Sequence, residues 1–86
     1  MNKYLVMAMR TPNFDPAVIG PHREFLDGLI ERGHLVESGR FTDGTGGAYV
    51  LYAESLDAAR ELVRTDPVHT TGSSELTVYE WEITAH

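Results

Sequence analysis

Hydrophobic and polar residues follow two periods along the chain, and the change between them divides it into strands and helices. Residues 3–9 are rich in strand-forming side chains and are continuously apolar after Lys3, which predicts a strand buried on both faces at the centre of a sheet. Asp15 and Pro16 are typical of a short first helical turn. We expect the main helix to follow it, with Pro21 at the first helical position.

One stripe of side chains predicts that main helix. Its members recur at i, i+3, i+4, i+7 and i+8, namely His22, Phe25, Leu26, Leu29 and Ile30. This spacing is typical of the buried face of an amphipathic helix, and Gly33 is suited to end it in a left-handed conformation. We therefore expect His22 to face the sheet.

The remaining chain predicts two strands, a helix and a last strand. Residues 35–42 and 47–53 are expected to form a hairpin around a glycine-rich turn. A second helix begins near Ser55 and ends at Asp66-Pro67, and residues 76–84 alternate as a strand. The order β-α-β-β-α-β predicts an α+β fold, a ferredoxin-like sandwich, in a single domain over residues 1–86.

Apolar side chains occupy both faces of the predicted strands, although two helices cover only one face of a four-stranded sheet. The alternating pairs include Leu5 and Met7 against Tyr4 and Val6, and Tyr79 and Trp81 against Leu76 and Val78. A chain this short buries only about 60–65% of its extended surface. We therefore expect a homodimer packed through the open sheet face.

Composition narrows the function classes. The chain has 13 Asp and Glu against 7 Lys and Arg, a net charge of −6, and the basic residues are scattered singly. This pattern argues against nucleic-acid binding. The apolar run at residues 4–9 is too short for a signal peptide or a membrane span, so we expect no membrane contact and a cytoplasmic location.

No cofactor or metal is expected either. The absence of cysteine removes thiolate metal sites and cysteine nucleophiles. The segment from Gly44 to Gly46 lacks the lysine and helix of a phosphate-binding loop, and the hairpin turn explains its glycines. The four histidines, at positions 22, 34, 69 and 86, show no metal-ligand spacing.

His22 and Asp66 are the candidates for chemistry. A histidine on a buried stripe is either a structural residue bonded to backbone or a titratable site group. Asp66 follows Val63 by three positions and extends the buried face of the second helix, at the unfavourable end of its dipole. Alternatively, Asp66 caps a following turn that begins at Pro67. If the two side chains lie side by side, the Asp66 carboxylate would orient the His22 imidazole as a general base requires.

Three further residues are candidates for substrate binding. Ser38 and Gly39 lie within a predicted strand, where a glycine marks a bulge or a close approach of a ligand. The sequence around Ser38 lacks the nucleophile motif of serine hydrolases. His69 lies just beyond Asp66 and either lines the same pocket or is solvated.

The chain resembles the YciI-like (YCII-related) family. The resemblance rests on the hydrophobic first strand, Pro21-His22 followed by Phe25-Leu26, the segment from Gly33 to Gly39, and Asp66-Pro67 after the second helix. It implies a small dimeric α+β barrel with His22 and Asp66 as a catalytic pair beside Ser38 and Gly39. Arg40 replaces a frequent proline, and Val68-His69 replace a usual aromatic residue, so substrate and pocket shape stay open.

Three functions are compatible with these residues. The first is a cofactor-free enzyme in which His22, oriented by Asp66, catalyses an elimination or isomerisation of a small, hydroxylated, cyclic or aromatic substrate. Dehydrochlorination of a chlorinated hydroxyquinol is associated with one branch of the family. The second is a non-catalytic module that binds a small-molecule ligand or regulates a partner, and the third is a cofactor-free monooxygenase, identified by oxygen consumption with a quinol.

Overall fold

The computed structural model describes residues 2–84, which form a four-stranded antiparallel sheet with helices on one face. In chain order the elements are β1 (Asn2–Arg10), a 3-10 turn (Pro16–Val18), α1 (Ile19–Glu31), β2 (Leu35–Arg40), β3 (Gly46–Ala53), α2 (Leu56–Val63), α3 (Pro67–Thr70) and β4 (Ser74–Glu80). The strand order is β2-β3-β1-β4, with antiparallel neighbours throughout. The predicted ferredoxin-like α+β fold and the central place of β1 are confirmed.

The core lies between the helices and the two central strands. In the register of β1 and β3, Tyr4 is opposite Leu51 and Val6 is opposite Tyr49. All four are buried and pack with Leu29 of α1 and with Ala59 and Val63 of α2. Each full burial of a large apolar side chain contributes about 1.5–3 kcal/mol, so the alternating positions of two strands anchor both helices.

The other side of the sheet, which we term the open sheet face, carries Leu5, Met7, Val50, Tyr52 and Tyr79. No helix within residues 2–84 covers it. Leu5 and Met7 are half-buried, so β1 is buried on one face only, not on both as its continuous apolar run predicts. The Tyr79 side chain is 53% exposed, which leaves an aromatic surface beside the central strand.

Helix α1 begins earlier than its prolines predict. The 3-10 turn, capped by Asp15, leads directly into the helix at Ile19, so Pro21 is its third residue. The first four backbone N–H groups of a helix lack partners within it, so proline is tolerated there. At the other end Ile30 is 57% exposed, because about 100° per residue carries it to the edge of the stripe centred on His22 and Leu29.

The second helix is shorter than predicted, because α2 ends at Val63 and a separate four-residue helix, α3, begins at Pro67. Strands also shift by a few residues at their ends. The third strand starts at Gly46, where a Cβ atom would collide with the carbonyl oxygen of Ala8, so the hairpin glycine is needed for close packing against β1. No helix within residues 2–84 has the length and apolar character to cross a membrane.

Candidate active site

The structure brings His22 and Asp66 into direct contact. His22 lies in the first part of α1, and Asp66 immediately precedes α3. The Nδ1 atom of His22 and the Oδ1 atom of Asp66 are 2.8 Å apart. The imidazole is 22% exposed, whereas the carboxylate is fully buried. The ring therefore separates the carboxylate from solvent.

Asp66 accepts two further hydrogen bonds. The Tyr49 hydroxyl donates to its Oδ2 atom at 2.9 Å, and the backbone N–H of Val68 donates to Oδ1 at 3.0 Å. The bond from Val68 makes Asp66 the N-cap of α3, as the alternative interpretation of Asp66-Pro67 predicts. Asp66 is therefore not part of α2, which ends at Val63. An ionised carboxylate only accepts hydrogen bonds, and the Tyr49 hydroxyl and the Val68 N–H both match that role as donors.

These contacts predict the tautomer of neutral His22. Because Asp66 offers only acceptors, the Nδ1 atom of His22 donates its proton to the carboxylate. The other ring nitrogen, Nε2, is then the unprotonated atom of the neutral imidazole. A neutral histidine held in this way by a buried carboxylate has the orientation that a general base requires.

Tyr49 is a site residue that the sequence analysis missed. Burial, and next the negative charge of Asp66, raise the pKa of the Tyr49 phenol far above its ordinary value. The hydroxyl therefore stays protonated and remains a donor to Asp66. The ring also packs against His22, with centroids 6.1 Å apart. Strand alternation with Leu51 could have placed Tyr49 on the core face, and a buried tyrosine hydroxyl needs a partner.

A cavity of about 720 Å³ lies in front of His22. It is bounded by the start of α1, the adjoining ends of β1, β2 and β3, and the loop after β1. Ser38 and Gly39 line this cavity together with His22 and Tyr49, and Ser38 is opposite Tyr49 in the strand register. The irregularity of β2 lies between Leu35 and Glu37, so Gly39 marks the cavity wall and not a bulge.

His69 lies elsewhere, which corrects the expectation that it lines the same cavity. Its exposed side chain borders a separate depression with Arg60 and Arg64. Val68, one residue earlier, is the α3 residue that lines the cavity of His22. Successive helical residues point about 100° apart, and in this short helix the two side chains border different depressions.

The remaining histidines give no metal site in the described part of the chain. His34 Nδ1 lies 3.1 Å from the backbone oxygen of Tyr52, and His86 is outside the described residues. Across residues 2–84, no three histidine, aspartate or glutamate side chains are grouped as metal ligands. That the protein works without metal or cofactor stays a prediction.

Comparison with known proteins supports the fold and identifies the family. The model of the YCII-related domain matches residues 3–82. The uncharacterized protein YjpA of Bacillus subtilis is 46% identical over 83 residues, which cover 96% of this chain and 98% of YjpA. The chain therefore belongs to the YCII-related domain family.

A solved structure has the same fold. It is the 5-chloro-2-hydroxyhydroquinone dehydrochlorinase TftG of Burkholderia phenoliruptrix, described as a complex with 2,5-dihydroxybenzoquinone. The TM-score is 0.73 with 93% of each chain covered, at 20% sequence identity. The similarity extends over nearly the whole chain and confirms its α+β fold class.

Proposed function

We propose that this member of the YCII-related family is a cofactor-free enzyme in which His22 transfers protons during an elimination or isomerisation. The observation that carries the proposal is the 2.8 Å contact of His22 with the buried Asp66 in the wall of a cavity. A structural histidine would need only one backbone partner. Here a buried carboxylate, itself held by Tyr49, orients the ring and leaves Nε2 unprotonated.

The proposed reaction begins with removal of a proton from a substrate carbon by His22 Nε2. The electron pair of the broken C–H bond forms a carbon–carbon double bond. In an elimination, a leaving group departs from the adjacent carbon with its bonding pair. In an isomerisation, the π pair of a neighbouring double bond shifts away instead, and the imidazolium returns the proton to the far atom of that bond. Asp66 stabilises the imidazolium, and proton transfer of this kind contributes typically about 10²–10⁴-fold to the rate.

The substrate class that we propose is a small hydroxylated ring. Ligand cavities commonly measure about 300–1,000 Å³, and the cavity of about 720 Å³ has room for a single ring with substituents. TftG, which shares the fold, is a dehydrochlorinase of a chlorinated hydroxyquinol and was solved with 2,5-dihydroxybenzoquinone. This supports testing chlorinated and non-chlorinated hydroxyquinols first. Weakly acidic C–H or O–H groups on such rings suit a neutral histidine base.

We also propose that the working form is a homodimer through the open sheet face. This face carries half-buried Leu5 and Met7 and the 53% exposed side chain of Tyr79. Covering it with a second copy would remove apolar and aromatic surface from water. Closed two-fold pairing of one surface with itself is the commonest way in which soluble chains assemble.

The enzyme proposal is tested by measuring turnover of a panel of small hydroxylated ring compounds, beginning with chlorinated and non-chlorinated hydroxyquinols. We expect His22→Ala and Asp66→Asn each to lower kcat at least about 100-fold, with the native circular dichroism spectrum retained. His34→Gln and Asp57→Asn are matched controls, because they change a histidine and a carboxylate outside the cavity, and we expect native rates from both. Binding of a ring ligand with no turnover by the native protein, or native rates in both site variants, would contradict the proposal.

A further inference from the structure

Positive charge is concentrated around the cavity of an otherwise acidic protein. Three of the seven Lys and Arg residues line it, namely Arg10, Arg23 and Arg40. They lie at the end of β1, beside His22 on α1, and at the end of β2. Among residues 2–84 no aspartate or glutamate lines the cavity. A concave site lined by one sign of charge focuses its field on a ligand of opposite charge.

The three guanidinium groups are available to a ligand. Within the described residues, none of them forms an ion pair with a carboxylate, whereas Arg64, which borders the separate depression of His69, pairs with Glu61. The Asp66 carboxylate is fully buried beside His22 and already accepts three hydrogen bonds. The cavity charge is therefore not neutralised by acidic side chains within residues 2–84.

Arg10 is the best positioned of the three. Its guanidinium lies over the Phe14 ring, 4.1 Å from the centroid. The loop that carries Phe14 is anchored, because the Thr11 hydroxyl donates to the carbonyl of Gly72 at 2.7 Å. Stacking on an aromatic face leaves the N–H edge of a guanidinium free to donate two parallel hydrogen bonds to a carboxylate. Arg10 is thus held in place before a ligand arrives.

We propose that the ligand of this cavity carries a carboxylate, which Arg10 binds while Arg23 and Arg40 supply further positive charge. The apolar side chains of Phe14, Ile19, Leu26 and Val68 line the same cavity and suit an organic ring better than an inorganic anion. The carboxylate therefore orients the ring toward His22. This deepens the proposed function by adding a carboxylate to the hydroxylated ring.

Binding of benzoate tests the inference without any turnover. Titrations of the native protein with benzoate, benzamide and inorganic phosphate would be followed by the backbone amide NMR signals of Gly39, Gly46 and Gly47. We expect benzoate to shift these signals and to bind at least about tenfold more tightly than benzamide or phosphate. Raising the ionic strength should weaken benzoate binding, because salt screens the arginines.

Arginine variants show which guanidinium group binds the benzoate carboxylate. We expect Arg10→Met, which keeps an unbranched stem beside Phe14, to weaken benzoate at least tenfold without affecting benzamide, and Arg10→Lys to retain part of the binding. Arg60→Gln changes net charge equally at a distance and should leave benzoate affinity unchanged. Equal affinities for benzoate and benzamide, no shift of the cavity amides, tighter phosphate binding, or native affinity in Arg10→Met would each overturn the inference.

The inference rests on the proposed function for the role of His22, but the two fail separately. If the ring panel shows no turnover while Arg10→Met still abolishes benzoate binding, the carboxylate site stands and the acid–base proposal fails. If turnover depends on His22 and Asp66 while benzoate and benzamide bind equally, the acid–base proposal stands and the carboxylate site fails.

Discussion

The Asp66 carboxylate has both a structural and a proposed chemical role, because its two oxygens accept hydrogen bonds from three different parts of the chain. His22 and Val68 share Oδ1, and the Tyr49 hydroxyl donates to Oδ2. Capping a short helix and orienting a histidine are thus not alternatives for this residue. A buried charge is tolerated only where its lone pairs are satisfied, and the described structure leaves no buried side-chain polar atom without a partner.

The Tyr49 hydroxyl predicts a loss of stability at alkaline pH. Its pKa is raised in the folded protein by burial and by Asp66, whereas the unfolded chain ionises near the ordinary value of about 10. The contribution to stability is therefore complete below pH of about 10 and is lost as the pH rises above it. The free energy of unfolding should fall by up to about 1.4 kcal/mol per pH unit from this group.

Denaturant unfolding between pH 8 and pH 11 measures this effect. Tyr49→Phe should remove that part of the decline, and should also be less stable at pH 7 by about 1–3 kcal/mol, because Oδ2 of Asp66 loses its donor. Tyr79→Phe serves as the control, since its ring lies half exposed on the open sheet face. An alkaline decline of the same slope in native protein and Tyr49→Phe would contradict the assignment.

Residue patterns predicted the members of the pair but not its full surroundings. Helical spacing placed His22 on the face toward the sheet, and Asp66-Pro67 signalled a cap or a helix end, so their meeting could be hypothesised. Tyr49 could not be connected to Asp66, because alternation along a strand gives a face and not a partner 17 residues away. His69 was misplaced because adjacency in sequence does not give the direction of a side chain on a short helix.

At the scale of elements, the end of the β2–β3 hairpin controls how closely β3 approaches β1. Gly46 has a φ of +156°, and a Cβ atom there would collide with the backbone of Ala8. Both residues line the cavity. The hairpin glycines thus set the shape of the site, even though they lack the features of a phosphate-binding loop.

A pair of glycine variants tests this. Gly46→Ala should lower the free energy of unfolding by about 1–3 kcal/mol, because the added methyl group must displace backbone. Gly20→Ala is the matched control: it meets no atom within 4 Å in α1, and alanine should stabilise the helix by about 0.4–1 kcal/mol. Thermal or denaturant unfolding of both variants measures the two changes in stability. A Gly46→Ala protein as stable as the native one would contradict the close packing of Gly46 against Ala8.

Element order followed well from hydrophobic periodicity, while element ends did not. Strands and long helices are predicted by the repeated spacing of apolar residues, as Leu26 and Leu29 show in α1. Ends depend on local hydrogen bonds, such as the cap that Asp66 provides to α3, which no periodicity contains. The early start of α1 before Pro21 has the same cause, since the 3-10 turn capped by Asp15 leads directly into the helix at Ile19.

At the scale of the whole molecule, the uncovered half of the sheet predicts self-association. Sedimentation velocity should give twice the chain mass of 9.6 kDa. Tyr79→Glu, which places a charge on the open sheet face opposite Leu5, should shift the protein toward the monomer. Ile30→Glu is the control, because Ile30 is exposed at the end of α1. A monomeric native protein, or dimers unaffected by Tyr79→Glu, would contradict pairing through this face.

The tautomer of His22 shows whether Asp66 orients the ring as a base. Long-range ¹H–¹⁵N NMR of the histidine rings, recorded at a pH where the ring is neutral, distinguishes a protonated from an unprotonated ring nitrogen. We expect His22 to carry its proton on Nδ1 and to have an unprotonated Nε2, and we expect Asp66→Asn to reduce this preference. A native protein with the proton on Nε2, or the same ring signals in Asp66→Asn, would contradict the claim that Asp66 prepares His22 to act as a base.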